Sequence, residues 1–348
     1  FISETINVAK DNISLTEGQK ILTDNFLKKK RIIVYIDDLD RGWEGKKEDI
    51  IRISALLNAI RDLSNENSGL LFKVSLRSDV YYLVRTSDES TDKIEGSVVW
   101  CKWTNHEILV LLIKRILTYF GDSVDENTLM KTPQLHLRFH LERVMESTFS
   151  GRGKWENVYM YKILMSLIRK RPRDLVKLCS LAAQQAQQTN SPLIKTEHFQ
   201  AIFEEYSQGR IQDTINEYKS ELPNIENLLF GMRPTKKQRN ASDGYIYTTA
   251  ELIQKLNNIR QHTNFIFKNG RKASANELAQ FLYKINFLTA RKIVESGEIQ
   301  RKYFEENRYI SSSFVDFGYD WEVHPAFRWV LQPENINEIF NKLALSHD

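Results

Sequence analysis

The chain is short of cysteine, of net charge and of long apolar runs. Its 348 residues hold two cysteines, Cys101 and Cys179. They lie far apart and match no metal-ligand spacing, so a cysteine-built metal module is excluded, and a reducing cytoplasm is the simplest setting. The net charge of +4 is small for this length. It does not by itself argue for nucleic acid, although a local basic patch remains open. The longest aliphatic run, Ile108 to Ile113, is far too short to cross a bilayer, and no secretion signal is visible. No internal repeat and no low-complexity tract occurs. The phosphate-loop pattern G-x-x-x-x-G-K-[ST] is missing as well. "EGQK" (17–20) and "GRGK" (151–154) contain Gly and Lys but lack the spacing and the hydroxyl. The first residue is Phe1 rather than Met, so the expectation is a part of a longer polypeptide.

What is present is ordinary for a soluble protein: 41% hydrophobic and 27% charged residues, in a length that suits two or three domains. Ser14 to Glu17 has capping-box spacing, and a helix through about Lys28 is expected. Arg31 to Asp37 reads as a strand. Ile50, Ile53, Leu57, Ile60 and Leu63 recur at helical spacing and predict a helix from about Glu48 to Leu63. "LLFKVSLR" predicts a strand ending at Arg77, and "SVVWCKW" another ending at Trp103. Thr104 then caps a helix, with Glu107 three residues on. Strand, helix and strand, with nearly all-apolar strands, predict a parallel sheet covered on both faces. From about Glu126 to Tyr206 strand signals vanish and a small helical bundle is expected. Residues 207–242 read as a polar connection with one helix and a mobile loop, "RPTKKQRNASDG". From Tyr245 to about Pro333, two helical patterns precede a tail that alternates aromatic and polar residues around an Asp-Phe-Gly-Tyr turn. Helix, helix, then β-ribbon is a winged-helix order.

The chemistry concentrates in "IIVYIDDLDR". A parallel strand in mid-sheet projects its C-terminal residues into the crevice where ligands bind. One carboxylate there can hold Mg²⁺, directly or through water, and a second can orient a water attacking a γ-phosphate. Asp37 suits the first role and Asp38 the second; a solvated acidic turn is the plainer alternative. Arg77 closes the next strand, where a cation could stabilise γ-phosphate charge, or be a surface arginine in a turn. Arg171 and Arg173 flank Pro172, which suits a first helical turn. A helical lid would carry such an arginine to the phosphates; the alternative is a basic loop held by Asp174.

Taken in order, "IIVYIDDLDR", "FKVSLRSD", "CKWTNHEILVLLIKRI" and "RPRDLVKLCSLAAQQA" resemble the KAP-type P-loop NTPases and their bacterial relatives. These belong with the STAND-like signal-transducing ATPases, akin to AAA+ proteins. The closing "FLYKINFLTARK…WEVHPAFRWVL" resembles the winged-helix end of that bacterial group, so the resemblance covers about residues 15–333. It implies an α/β fold, a partial P-loop NTPase parallel sheet over 1–125. A helical lid over 126–206, a connection over 207–242 and a winged-helix-like α+β domain over 243–348 follow. It implies ATP and Mg²⁺ as cofactors, with Asp37 the Walker B acid at Mg²⁺ and Asp38 the catalytic acid. Arg77 matches the sensor-like arginine, and Arg171 or Arg173 the lid arginine. Asp40 and Arg41 complete the "DDLDR" pattern without a firm chemical role. The missing phosphate loop is the departure from the family. Fewer residues precede the acidic strand than a first strand, loop and helix need, so truncation is preferred to degeneration. As written, the chain is expected to bind ATP poorly and to hydrolyse none.

Other features weigh less. His136 and His140 have a zinc-compatible spacing, but no third ligand is evident because Glu142 is off their face. The aromatics Tyr303, Phe304, Tyr309, Phe314, Phe317, Tyr319, Trp321, Phe327 and Trp329 could stack on bases, or form a core. Arg115 could point toward a nucleotide or snorkel. The leading reading is a regulatory ATPase switch in a cytoplasmic bacterial protein, in phage defence or stress signalling, with self-association or an effector protein as partner and no membrane. The alternative is a winged-helix nucleic-acid- or protein-binding module on an inert scaffold. "ASANELAQFLYKINFLTARKIV" offers only Lys284, Arg291 and Lys292 as cations, which is thin for a duplex. A metal-dependent nuclease on Asp37, Asp38 and Asp40 ranks last, since two metals need carboxylates from separate elements.

Overall fold

β-Branched and aromatic side chains suit a pleated surface, and "IIVYI" forms strand β1 (Ile32–Ile36). In the computed structural model β1 pairs in parallel with β2 (Leu70–Val74), Ile32 opposite Leu70 through Ile36 opposite Val74. The described residues are 15–22, 31–87, 89–236, 238, 244–294, 299–306 and 318–332. They fall into two compact units, Phe1–Trp100 and Cys101–Asp348.

In the first unit, helix α1 (Leu15–Leu22) precedes β1; Ser14 and residues 23–30 lie outside the described residues. Helix α2 (Lys47–Glu66) is the crossover between the strands. Its Ile53 and Leu57 share a core with Trp43 and with Val80, Tyr81 and Val84 of α3 (Ser78–Ser87). Coverage of the sheet on both faces is not observed among the described residues. Ile33, Tyr35 and Leu71 on the outer face are 46%, 76% and 39% exposed. The third strand expected at "SVVWCKW" is absent too. Residues 98–104 form no ladder, Trp100 packs edge-on against Tyr81, and Val99 is exposed. Alternating burial there is satisfied by the helical core, with no strand edge involved.

In the second unit Thr104 caps α4 (Asn105–Tyr119), accepting from the Glu107 amide, while the Glu107 carboxylate accepts from the Thr104 amide at 2.7 Å. Helices α5 (Glu126–Lys131) and α6 (Gln134–Leu141) follow. Next comes an antiparallel hairpin, β3 (Thr148–Ser150) with β4 (Glu156–Tyr159), inside the stretch read as purely helical. Gly151 permits it: a Cβ there would sit 2.5 Å from the Phe149 ring. Phe149 and Trp155 then pack edge to face. Helices α7 (Met160–Leu167), α8 (Pro172–Gln188) and α9 (Thr196–Tyr218) complete the bundle. α9 runs unbroken through the expected boundary at Tyr206, and α10 (Ile225–Gly231) follows it. Of the polar loop, residues 237 and 239–243 lie outside the described residues.

The C-terminal part sets α11 (Thr249–His262) and α12 (Ala275–Lys284) beside an antiparallel sheet. Its strands are β5 (Ile246–Tyr247), β6 (Leu288–Ile293), β7 (Ile299–Lys302) and β8 (Asp320–Val323), in the order β5-β8-β6-β7. The chain is thus mixed helix and strand, with small sheets. The helical bundle and this sheet share one unit, and the first unit ends at Trp100 rather than at 125. A 3-10 turn (Pro325–Phe327) and the short helix α13 (Arg328–Leu331) join the two parts. Ala326 and Trp329 enter the bundle core, while Phe327 and Leu331 enter the sheet's core.

Candidate functional site

The two acids follow the last residue of β1, and both are exposed. Parallel pairing continues one step past β2, where the Ser75 amide donates to the Ile36 carbonyl at 2.9 Å. That step sets the Ser75 hydroxyl against Asp37, and it donates to Asp37 Oδ1. The Asp38 amide donates to the same oxygen at 2.9 Å. These two bonds, the Ser75 hydroxyl foremost, hold the Asp37 carboxyl below the usual carboxylate range. Asp38 adopts a left-handed backbone (φ 57°), uncommon for a residue with a Cβ. Its carbonyl accepts from the Arg41 amide at 3.0 Å, and that of Asp40 from the Trp43 amide at 3.0 Å. The chain thereby turns sharply, and Trp43 is buried beneath it.

Arg77 lies at the same end of the sheet, two residues beyond Ser75. Its Nε and Nη2 donate to Asp79 at 3.1 and 2.8 Å, a two-point fork. Asp40 Oδ2 lies 3.3 Å from the same Nε. Asp79 is buried, in the first turn of α3. Burial pushes the Asp40 carboxyl up, partly offset by Arg77. Asp37 and Asp38 were expected in mid-sheet; among the described residues β1 pairs with β2 alone. No sequence motif singles out Ser75 or Asp79. The available signal was the register: residues one step beyond paired strand ends meet across the ladder.

The second unit holds the remaining candidates. Asp174 is buried, bound by Arg169 (Nε 2.8 Å, Nη2 3.1 Å) and by Arg210 (Nη1 2.6 Å). Burial alone would raise its carboxyl, but the two guanidinium groups hold it well below the carboxylate range. Of the basic run, Arg169 is therefore spent on Asp174. Lys170 (φ 52°) reaches Glu306 at 2.6 Å, and Arg171 lies 3.4 Å from Glu217. Arg173 is exposed and makes no ion pair among the described residues. Asp174 thus holds the basic loop, through Arg169. His136 and His140 lie on α6, and no group of three or more His, Cys, Asp or Glu arranged for a metal occurs among the described residues. Tyr303, Phe304, Trp321, Phe327 and Trp329 are core. Tyr309, Phe314 and Phe317 lie outside the described residues.

The fold and site thus define a mixed α/β chain with two acids at the open end of a parallel strand pair, joined to a helical bundle fused to an antiparallel sheet. Residues 135–215, from α6 through most of α9, match the model of the FunZ-associated C-terminal helical domain. The chain is 21% identical over 360 aligned positions to the putative transposon gamma-delta 80.3 kDa protein of Escherichia coli (strain K12), covering 97% of this chain and 46% of that protein. It spans about half the length of that curated relative. No solved structure matches. No helix among the described residues is long and apolar enough to cross a membrane.

Proposed function

We propose that the chain is the acid-bearing part of an ATP-dependent regulatory switch. The observation that carries this reading is the Asp37 carboxylate, fixed by the Ser75 hydroxyl and the Asp38 amide at the open end of β1. A carboxylate so held favours a cation over a proton. The residues present fit Mg²⁺ better than phosphate, because the amides and lysine of a phosphate loop are not in this sequence. When bound, Mg²⁺ neutralises charge on the transferred phosphoryl group. Asp37 would hold the ion, and the exposed carboxylate of Asp38 would orient or deprotonate the attacking water. In the second unit Arg169, Lys170 and Arg171 are engaged with Asp174, Glu306 and Glu217, and Arg173 is the exposed arginine of that run. The test is single-turnover hydrolysis by the natural polypeptide that carries this chain. Asp38→Ala should keep Mg-ATP bound and slow hydrolysis by about 10²–10⁴-fold, as for loss of a general base. Unchanged hydrolysis would remove Asp38 from the mechanism.

The C-terminal sheet supports a protein partner, an effector or a second copy, over a duplex. Lys284 is bound to Glu221, and buried Arg291 lies 4.0 Å from Asp320. Of the three cations in that segment, Lys292 is left exposed. Winged-helix architecture is our reading of the order β5, α11, α12, β6 and β7. Salt-insensitive or absent retention on duplex DNA is the outcome this reading expects. Retention that falls steeply with salt would favour nucleic acid.

A further inference from the structure

The "DDLDR" pattern leaves Asp40 without a role, and Arg77 is expected at a phosphate. The observed contacts give both another task. The Arg77 fork is closed on Asp79 through Nε and Nη2, and Asp40 lies on the Nε side. Asp79 is 5% exposed. Moving Arg77 to a phosphate would take the two-point fork away from that buried charge, a costly change for an ion pair of this kind. Asp40 belongs to the turn that carries Asp37 and Asp38. Arg77 closes the turn after β2, and its carbonyl accepts the Tyr81 amide at 3.0 Å as α3 begins. One side chain therefore spans the turn after β1 and the start of α3. A parallel tie runs from the Ser75 hydroxyl to Asp37.

We propose that Arg77 is a positioning residue, tied between Asp40 and Asp79, that fixes the left-handed turn at Asp38 and so aims the acid pair. The cation that meets a transferred phosphoryl group is then a different one. Asp40 acquires its function through Arg77, and the two residues work as a unit. The kinetic part of this inference rests on the ATPase reading above; the structural part does not.

Two measurements test it. The first is hydrogen exchange at the Arg41 and Trp43 amides, which close the turn onto Asp38 and Asp40. Arg77→Ala, the near-isosteric Asp40→Asn and their double variant should each speed exchange there by a similar factor, about tenfold for a lost charge-assisted bond. Arg77→Lys should not restore protection, because a lysine cannot form the fork. The second is ATP hydrolysis by the natural polypeptide. kcat should fall equally in Arg77→Ala and Asp40→Asn, with KM for Mg-ATP unchanged and no further loss in the double variant. Two results would overturn the tie: unchanged exchange in Asp40→Asn, or intact hydrolysis in Asp40→Asn beside loss in Arg77→Ala that Arg77→Lys partly rescues. If the unaltered polypeptide hydrolyses no ATP, the ATPase reading fails, and exchange alone decides the tie.

Discussion

Trp329 stacks on Phe203 of α9, with ring centroids 4.6 Å apart and planes 27° from parallel. Trp329 belongs to α13, beyond the C-terminal sheet, and Phe203 to the middle of the bundle. Trp155 of the hairpin region stands 6.1 Å from the same tryptophan. The backbone follows the rings: the Val330 amide donates to the Ser207 hydroxyl at 3.1 Å. The segment 325–331 therefore ties the bundle to the sheet, with side chains in both cores.

Removal of this plug should cost about 3–5 kcal/mol, the usual loss for a buried tryptophan cut to alanine. In Trp329→Ala the helical and C-terminal parts should still unfold in one transition, at a lower denaturant midpoint. Urea titration followed by far-ultraviolet and tryptophan signals checks this. Separate midpoints for the bundle and the sheet, beyond any transition of the first unit, would show that these two parts are independent.

The Asp174 carboxylate holds two buried arginines, Arg169 and Arg210. Asp174→Ala leaves Arg169 without its carboxylate and Arg210 with Asp213 alone, and should destabilise by about 3–5 kcal/mol. Replacement by asparagine keeps the shape but not the charge, and should be almost as damaging. Chemical denaturation of the two variants measures both effects.

Acid sensitivity should begin at His324. It is fully buried, its Nδ1 accepts from the Ala326 amide at 3.1 Å, and its Nε2 lies 2.9 Å from the Tyr303 hydroxyl. Burial, then Arg301 and Arg169, pushes its pKa well below the ordinary 6.5. The folded state thus keeps it neutral while the unfolded chain takes up a proton below pH 6.5. Stability is full above that pH and falls by up to about 1.4 kcal/mol per unit below it. His324→Gln, less stable at neutral pH, should lose this slope between pH 6.5 and 5. A second loss follows at lower pH. Burial alone would raise Glu322, but Arg301 and Arg328 hold it at about 2 against an ordinary 4.5. Its contribution is present above 4.5 and disappears as the pH falls toward 2.

Much of this architecture is legible in local sequence. The capping pair Thr104 and Glu107 and the helical spacing through Ile53 and Leu57 follow from short-range rules, and the parallel pairing of "IIVYI" with "LLFKV" from the strand-helix-strand order. The hairpin at Thr148–Tyr159 does not. Its strands are three and four residues long, and it depends on Gly151 meeting Phe149 closely. "SVVWCKW" misleads because period-two burial marks any half-covered extended segment, paired or not. At the site the acids are legible, but Ser75 against Asp37 and Asp79 against Arg77 require the register and the start of α3. A neighbour in the next turn competes for Arg77, and sequence order alone does not reveal which partner wins. The aromatic tail reads as the core of its own domain, whereas Trp329 fills another part's core.

Heat protection by Mg-ATP tests the central claim most directly. The natural polypeptide that carries this chain should melt higher in Mg-ATP than in ATP with chelator. The gain is about 2.7 kcal/mol at a ligand concentration 100 times its Kd. Asp37→Ala should abolish that rise without lowering the ligand-free midpoint much, since Asp37 is exposed. Equal protection of Asp37→Ala and the unaltered protein would contradict a cation-handling role for Asp37, and so would no protection of either.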